Sequence, residues 1–190
     1  MNGAGNTDFF AAPIAMPKWL AELEAANSGR AIPGDADKVR FTVDIAAENV
    51  RRGTGGPFAA AVFELGTDRL IAVGVNSVVP SGQSWAHAEM TACARAQHLL
   101  NALALKGCVL VSSCEPCAMC NGAVLWSGVD ALTYGADKEM AESIGFDEGC
   151  KGSSWREELV KRGIAVVGPL LGDEAFKPFA LYRQTGGKIY

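Results

Sequence analysis

No run of about 18 apolar residues occurs anywhere in this chain of 190 residues, which excludes a helix long enough to cross a membrane. Basic residues are thin. Lys and Arg total 17 against 21 Asp and Glu, the formal charge is −4, and adjacent basic residues never exceed a pair. That balance excludes a phosphate-tracking groove and with it a dedicated nucleic-acid partner. The apolar stretch from Phe9 to Met16 has no basic segment ahead of it and is broken by Pro13, a poor fit to a secretory leader. Internal repeats and low-complexity tracts are also missing, so a solenoid or a disordered linker protein is excluded. What is present is a 49% hydrophobic, 20% charged chain. That is the composition of one well-packed globule with an extra arm at one or both ends.

Six cysteines would suggest a disulfide framework in a secreted protein. Here three of them crowd between Cys114 and Cys120, and Cys93, Cys108 and Cys150 are scattered. The clustering favours metal binding in a reducing, cytoplasmic setting.

His87-Ala88-Glu89, followed after about 26 residues by Pro116-Cys117-Ala118-Met119-Cys120, carries most of the chemical information. Zinc prefers nitrogen and sulfur donors in a tetrahedron, and a catalytic site keeps one corner open for water. His87, Cys117 and Cys120 supply three corners. Glu89 lies two residues beyond the histidine, within reach of that water, as a proton carrier. The H-x-E…P-C-x-x-C order marks zinc-dependent nucleobase deaminases. The competing reading is a closed structural site with Cys114 as fourth ligand. His98 lies three turns beyond His87 on the same predicted helix, too far to join that metal.

Periodicity and turn signals divide the chain into an arm, 1–34, a central domain, 35–170, and a final helix and tail, 171–190. The arm holds one short helix, Pro17 to Ala26. Asp35 reads as the N-cap of a helix reaching about Arg52. Phe58 to Leu65 and Leu70 to Val75 read as a hairpin. Ala86 to Leu103 reads as a helix with His87 and Glu89 in its first turn, Cys108 to Ser112 as a strand, and Pro116 to Trp126 as a helix. Strands at Ala131 to Tyr134 and Ile164 to Val167 follow, then a helix from Glu174 to Arg183 that Pro178 weakens. Strands and helices alternate after the hairpin, which predicts a mixed sheet covered on both faces.

From Gly55-Gly56-Pro57-Phe58 through Val75-Asn76, Ala86-His87-Ala88-Glu89, Ser113-Cys114-Glu115-Pro116-Cys117-Ala118-Met119-Cys120 and Ile144-Gly145-Phe146-Asp147-Glu148, the chain resembles the cytidine deaminase superfamily. Within it the likeness is closest to the bacterial guanine deaminase branch. The resemblance implies a three-layer α/β/α sandwich around a five-stranded mixed sheet, one zinc ion per subunit and a homodimer. It implies removal of an amine from a small purine, guanine to xanthine and ammonia, with Glu89 and Glu148 catalytic and Cys114 not a ligand. Asn76, Phe58, Phe146, Ala88, Trp126 and Tyr190 are the expected substrate contacts. It also implies that residues 171–190 swap between subunits to cover the partner's site. Ammeline and related triazines, cytosine and guanosine are alternative substrates. A tRNA adenosine deaminase and a non-catalytic binding protein are the more distant readings.

Overall fold

The computed structural model describes residues 14–190, so the first part of the expected arm, including the apolar stretch from Phe9 to Pro13, lies outside the described residues. The elements run α1 (Lys18–Asn27), α2 (Asp35–Arg51), β1 (Ala59–Glu64), β2 (Leu70–Val75), α3 (Val78–Ser81), α4 (Ala88–Leu100), β3 (Cys108–Cys114), α5 (Ala118–Ser127), β4 (Ala131–Ala136), α6 (Lys138–Glu142), α7 (Trp155–Lys161), β5 (Ala165–Val167) and α8 (Asp173–Gln184). The strands form one mixed sheet in the order β2-β1-β3-β4-β5. β1 is antiparallel to β2 and β3, whereas β3, β4 and β5 are parallel. This is the expected sandwich. No helix among the described residues is long and apolar enough to cross a membrane.

Alternation along β1 separates the two helical layers. Ala59, Ala61 and Phe63 face a core shared with α1, α2 and α8, while Ala60 and Val62 face one shared with α4, α5 and α7. A strand buried on both faces reads as a continuous apolar run, and Ala59 to Phe63 does so. The largest wholly buried side chains, Tyr134, Phe63 and Phe179, divide between the two layers.

Several boundaries differ from the sequence expectation, each for a local reason. Gly34, at φ 85°, is the N-cap of α2 instead of Asp35, whose charge stands in the first turn with Asp37 and complements the positive end of the helix dipole. α4 begins after His87 and stops at Leu100, because Asn101 adopts a left-handed conformation (φ 48°) and turns the chain. α5 begins after Cys117, whose sulfur accepts the Cys120 amide and caps the helix, so Pro116 stays outside it. α8 continues through Pro178. A proline inside a helix costs about 3 kcal/mol, and burying Phe179 and Tyr182 returns about 1.5–3 kcal/mol each, so packing prevails.

β2 is an edge strand, and unpaired edges invite unwanted pairing. The segment after α1 covers it: Gly29 and Ile32 donate to the carbonyls of Leu70 and Asp68, and Leu70 donates to Arg30. Glu24, on α1, is buried. It accepts the Val73 amide at 3.1 Å and takes two hydrogen bonds from Arg95 of α4, at 3.0 and 2.8 Å. One carboxylate thus joins α1, the sheet edge and α4. Hydrogen bonds to charged groups contribute about 1.5–3 kcal/mol, so Glu24→Ala should lower unfolding stability by an amount in that range, read as a reduced urea midpoint.

Candidate metal centre and cavity

The carboxyl end of the sheet gathers the polar motif. His87 is the extended N-cap of α4 and Cys117 the extended N-cap of α5, so both helices start at the site. The first turn of a helix favours negative charge and thiolate over thiol. α4 can lie this low on the sheet because residue 74 is glycine. A Cβ there would meet the Ala92 nitrogen, the Thr91 hydroxyl and the Ala88 carbonyl at 2.4–2.5 Å.

Nδ1 of His87 lies 3.5 Å from the sulfur of Cys117 and 3.5 Å from that of Cys120. All three donor atoms fall within 4.8 Å of one another. Nitrogen and sulfur held at zinc bond lengths in a tetrahedron stand about 3.6 Å apart, so the donor set and its spacing fit zinc. Cys114 is not part of this group. Its buried thiol donates instead to the Asp137 carbonyl at 3.6 Å. Among the described residues three protein donors converge, which is the arrangement of an open catalytic site.

Negative charge is crowded here. Glu89 is buried, accepts the Ser112 hydroxyl at 3.1 Å and lies 3.3 Å from the Cys120 sulfur. Burial, then the neighbouring Cys117, push its carboxyl above the ordinary range. Glu148 is buried as well. Burial first, then Cys117 and Glu89, raise it to about 8. Cys117 moves the other way, to about 4, chiefly because Cys120 hydrogen-bonds to it and then because His87 does. Burial opposes protonation of His87, but Cys117, Glu89 and Glu148 outweigh it and hold the imidazole above its usual value. A divalent cation between these groups would relieve the crowding.

A cavity of about 340 Å³ opens onto these donors. His87, Cys117, Ala88 and Glu89 form its floor, and Phe58, Asn76, Phe146, Glu148 and Tyr190 its walls. Asn76 is fixed by its neighbours: its carbonyl accepts Asn49 Nδ2 at 3.0 Å and its side-chain oxygen accepts the Val78 amide at 3.2 Å. Phe146 sits edge-on to Phe58 at 4.9 Å and to Tyr190 at 5.3 Å. Tyr182 donates to the Lys188 carbonyl at 2.7 Å, which folds the tail back over the cavity of its own chain. Tyr190 is partly exposed, but it lines the cavity together with Asn76 and Phe146.

Trp126 does not join this group. It is 88% exposed and lines no part of the cavity. Nine residues separate it from Cys117, and at about 100° per residue that places it half a turn away, on the opposite face of α5. Val78, Ser84, Glu115 and Asp147 do line the cavity but carried no separate signal, beyond the nearness of Glu115 to Cys117 and of Asp147 to Glu148.

Residues 36–136 match the family described as the cytidine and deoxycytidylate deaminase zinc-binding region. The curated guanine deaminase of Bacillus subtilis (strain 168) is 43% identical over 150 residues, covering 79% of this chain and 94% of that protein. A solved structure of guanine deaminase from Nitrosomonas europaea is 41% identical with a TM-score of 0.82, covering 90% of this chain and 94% of that one. The protein NE0047, solved in complex with 2,6-diaminopurine, is 40% identical with a TM-score of 0.87, covering 95% and 96%.

Metal analysis of the purified protein should find one zinc ion per chain. Cys117→Ala and Cys120→Ala should each leave well under half of that after dialysis, while Cys114→Ala should keep it.

Proposed function

The chain belongs to the cytidine and deoxycytidylate deaminase zinc-binding family, and from that premise we propose that it hydrolyses guanine to xanthine and ammonia. The observation that carries this reading is the convergence of a three-donor zinc set, the carboxylate of Glu89 and a small aromatic-walled cavity on one spot. At about 340 Å³ the cavity is at the small end of ligand pockets, which run from about 300 to 1,000 Å³, and suits a bare base better than a nucleoside. In this reading residues 35–170 carry the chemistry, Glu24 and residues 29–32 of the arm brace the β2 edge, and 171–190 close the cavity.

Zinc held by His87, Cys117 and Cys120 supplies Lewis acidity that makes water a competent nucleophile near neutral pH. Asn76, with its backbone carbonyl held by Asn49 of α2 and its side-chain oxygen by the Val78 amide, presents its amide to one edge of the purine. Phe58 and Phe146, packed edge to face, form one aromatic wall beside the flat ring. Glu89 takes a proton from the attacking water and delivers it to the ring nitrogen beside the amine-bearing carbon. It then carries the second proton to the amine, which leaves as ammonia. Glu148, across the cavity, meets the amine side of the base and assists that departure. The backbone of Ala88 lines the floor beneath the reacting carbon. Tyr190 and the folded tail exclude bulk water, which strengthens every polar contact inside.

A homodimer is part of the same proposal. Leu103 and Trp126 are almost fully exposed. They stand at adjoining ends of α4 and α5, where Leu105 donates to Ser127 and Gly128 lies against Ala104. An exposed apolar patch of this kind suits a second copy of the chain. Exchange of residues 171–190 between the two subunits would keep Tyr190 lining a cavity together with Asn76. Five buried free thiols suit the reducing cytoplasm, and the reaction places the protein in purine breakdown.

Ammonia release should be rapid from guanine and slow from guanosine, adenine, cytosine and ammeline. Glu89→Ala should retain zinc yet lose turnover by at least about a hundredfold, and near-normal activity in that variant would remove Glu89 from the mechanism. Trp126→Glu should shift the protein from dimer to monomer in light scattering.

A further inference from the structure

Lys151 is a buried ammonium outside the cavity lining, and its partners are unusual. Its side chain is 5% exposed, and Nζ donates to Glu115 Oε1 at 2.5 Å and to the Pro116 carbonyl at 2.6 Å. The same nitrogen stands 4.4 Å from the centre of the Trp155 ring. Glu115 is equally buried and is also approached by Arg156 at 3.4 Å, and Arg156 in turn donates to the Tyr134 hydroxyl. Stability does not account for such a cluster, because a buried ion pair gains little over apolar side chains of the same volume. Connectivity does. Glu115 and Pro116 immediately precede the donor Cys117, and Lys151 follows the cavity carboxylate Glu148 by three residues. A backbone hydrogen bond from Ala118 to the Glu148 carbonyl, at 3.0 Å, joins the same two segments one step further on.

We propose that Lys151 is a positioning residue that locks the segment bearing Glu148 to the segment bearing Cys117 and so sets the spacing between the metal donors and the far wall of the cavity. Lys151 itself touches no reacting atom. Its two hydrogen bonds fix the peptide ahead of Cys117, and the short loop from Glu148 to Lys151 transmits that position across the cavity. The inference rests on the deaminase reading above, and it adds to the site a residue that lies beyond both zinc motifs.

The test compares Lys151→Met, Glu115→Gln and the double variant with the unaltered protein. Lys151→Met alone leaves the Glu115 carboxylate buried with only Arg156 beside it and can fail to fold. The double variant removes both charges and should keep a urea midpoint close to the original. Partners that orient metal ligands typically change activity or affinity 10–100-fold. The double variant should therefore lose at least about tenfold in kcat and surrender zinc to a chelator about tenfold faster. KM should stay within about threefold, since substrate binding itself is retained. Glu115→Gln alone, which preserves the Lys151–Pro116 bond, should show much less of both effects. If the double variant matches Glu115→Gln in kcat and zinc release, Lys151 merely neutralises a carboxylate and the proposal is overturned. If the unaltered protein leaves guanine intact, the substrate reading fails, and the zinc-release comparison still decides the role of Lys151.

Discussion

Charge crowded at the carboxyl end of the sheet is the constraint on which the rest of the molecule depends. Two thiols and an imidazole lie within a few ångströms of one another beside two buried carboxylates, which burial raises and their negative neighbours raise further. Such a cluster is tolerable only if a cation sits among the donors or if protons remain on them. The surrounding fold holds it together against this repulsion. α4 and α5 deliver His87 and Cys117 at their N-caps, where the helix dipoles offset part of the negative charge. The hydroxyl of Ser112, rising from β3, occupies one oxygen of Glu89 and limits where its carboxylate can point.

The cavity above this centre is assembled from parts distant in sequence. Asn49, wholly buried on α2, donates to the carbonyls of both Gly56 and Asn76 and joins the glycine turn to the turn after β2. A Cβ at residue 55 would fall 1.8 Å from the Asn76 carbonyl oxygen, so the approach of these two turns requires glycine. Phe58, Phe146, Phe179, Tyr182 and Tyr190 then continue as one aromatic set from the cavity wall into the core beneath α8. The wall is an extension of the core, which gives a flat ligand rigid surfaces to meet.

How legible this was in the amino-acid sequence depended on how local the determinant is. The zinc donors and Glu89 are set by short spacings and by the requirement that two helices begin at the site, and both are visible in one dimension. The mixed sheet and its two covering layers follow from apolar runs and from the hairpin, whereas the strand order does not. Less was visible where tertiary contacts decide. Asn101 ends α4 three residues before the apolar pattern does, and Gly34, not Asp35, opens α2. α3, α6 and α7 are too short to show a helical period. Trp126 was an expected substrate contact, yet the helical repeat turns it to the far side of α5. Lys151 gives no signal at all in the sequence, because its meaning lies in what it reaches across the fold.

Gly74 links two regions that otherwise seem independent. Since α4 rests directly on the backbone of β2, the height of His87 above the sheet is measured from an edge strand, the kind of element that opens most readily in a folded protein. That edge is braced by Glu24 and by residues 29–32, none of which comes near the metal centre. Fraying at the rim would tilt α4 and slacken the grip on the ion. Amide-proton protection along β2 and the lifetime of the bound metal are thus two clocks timing the same local opening.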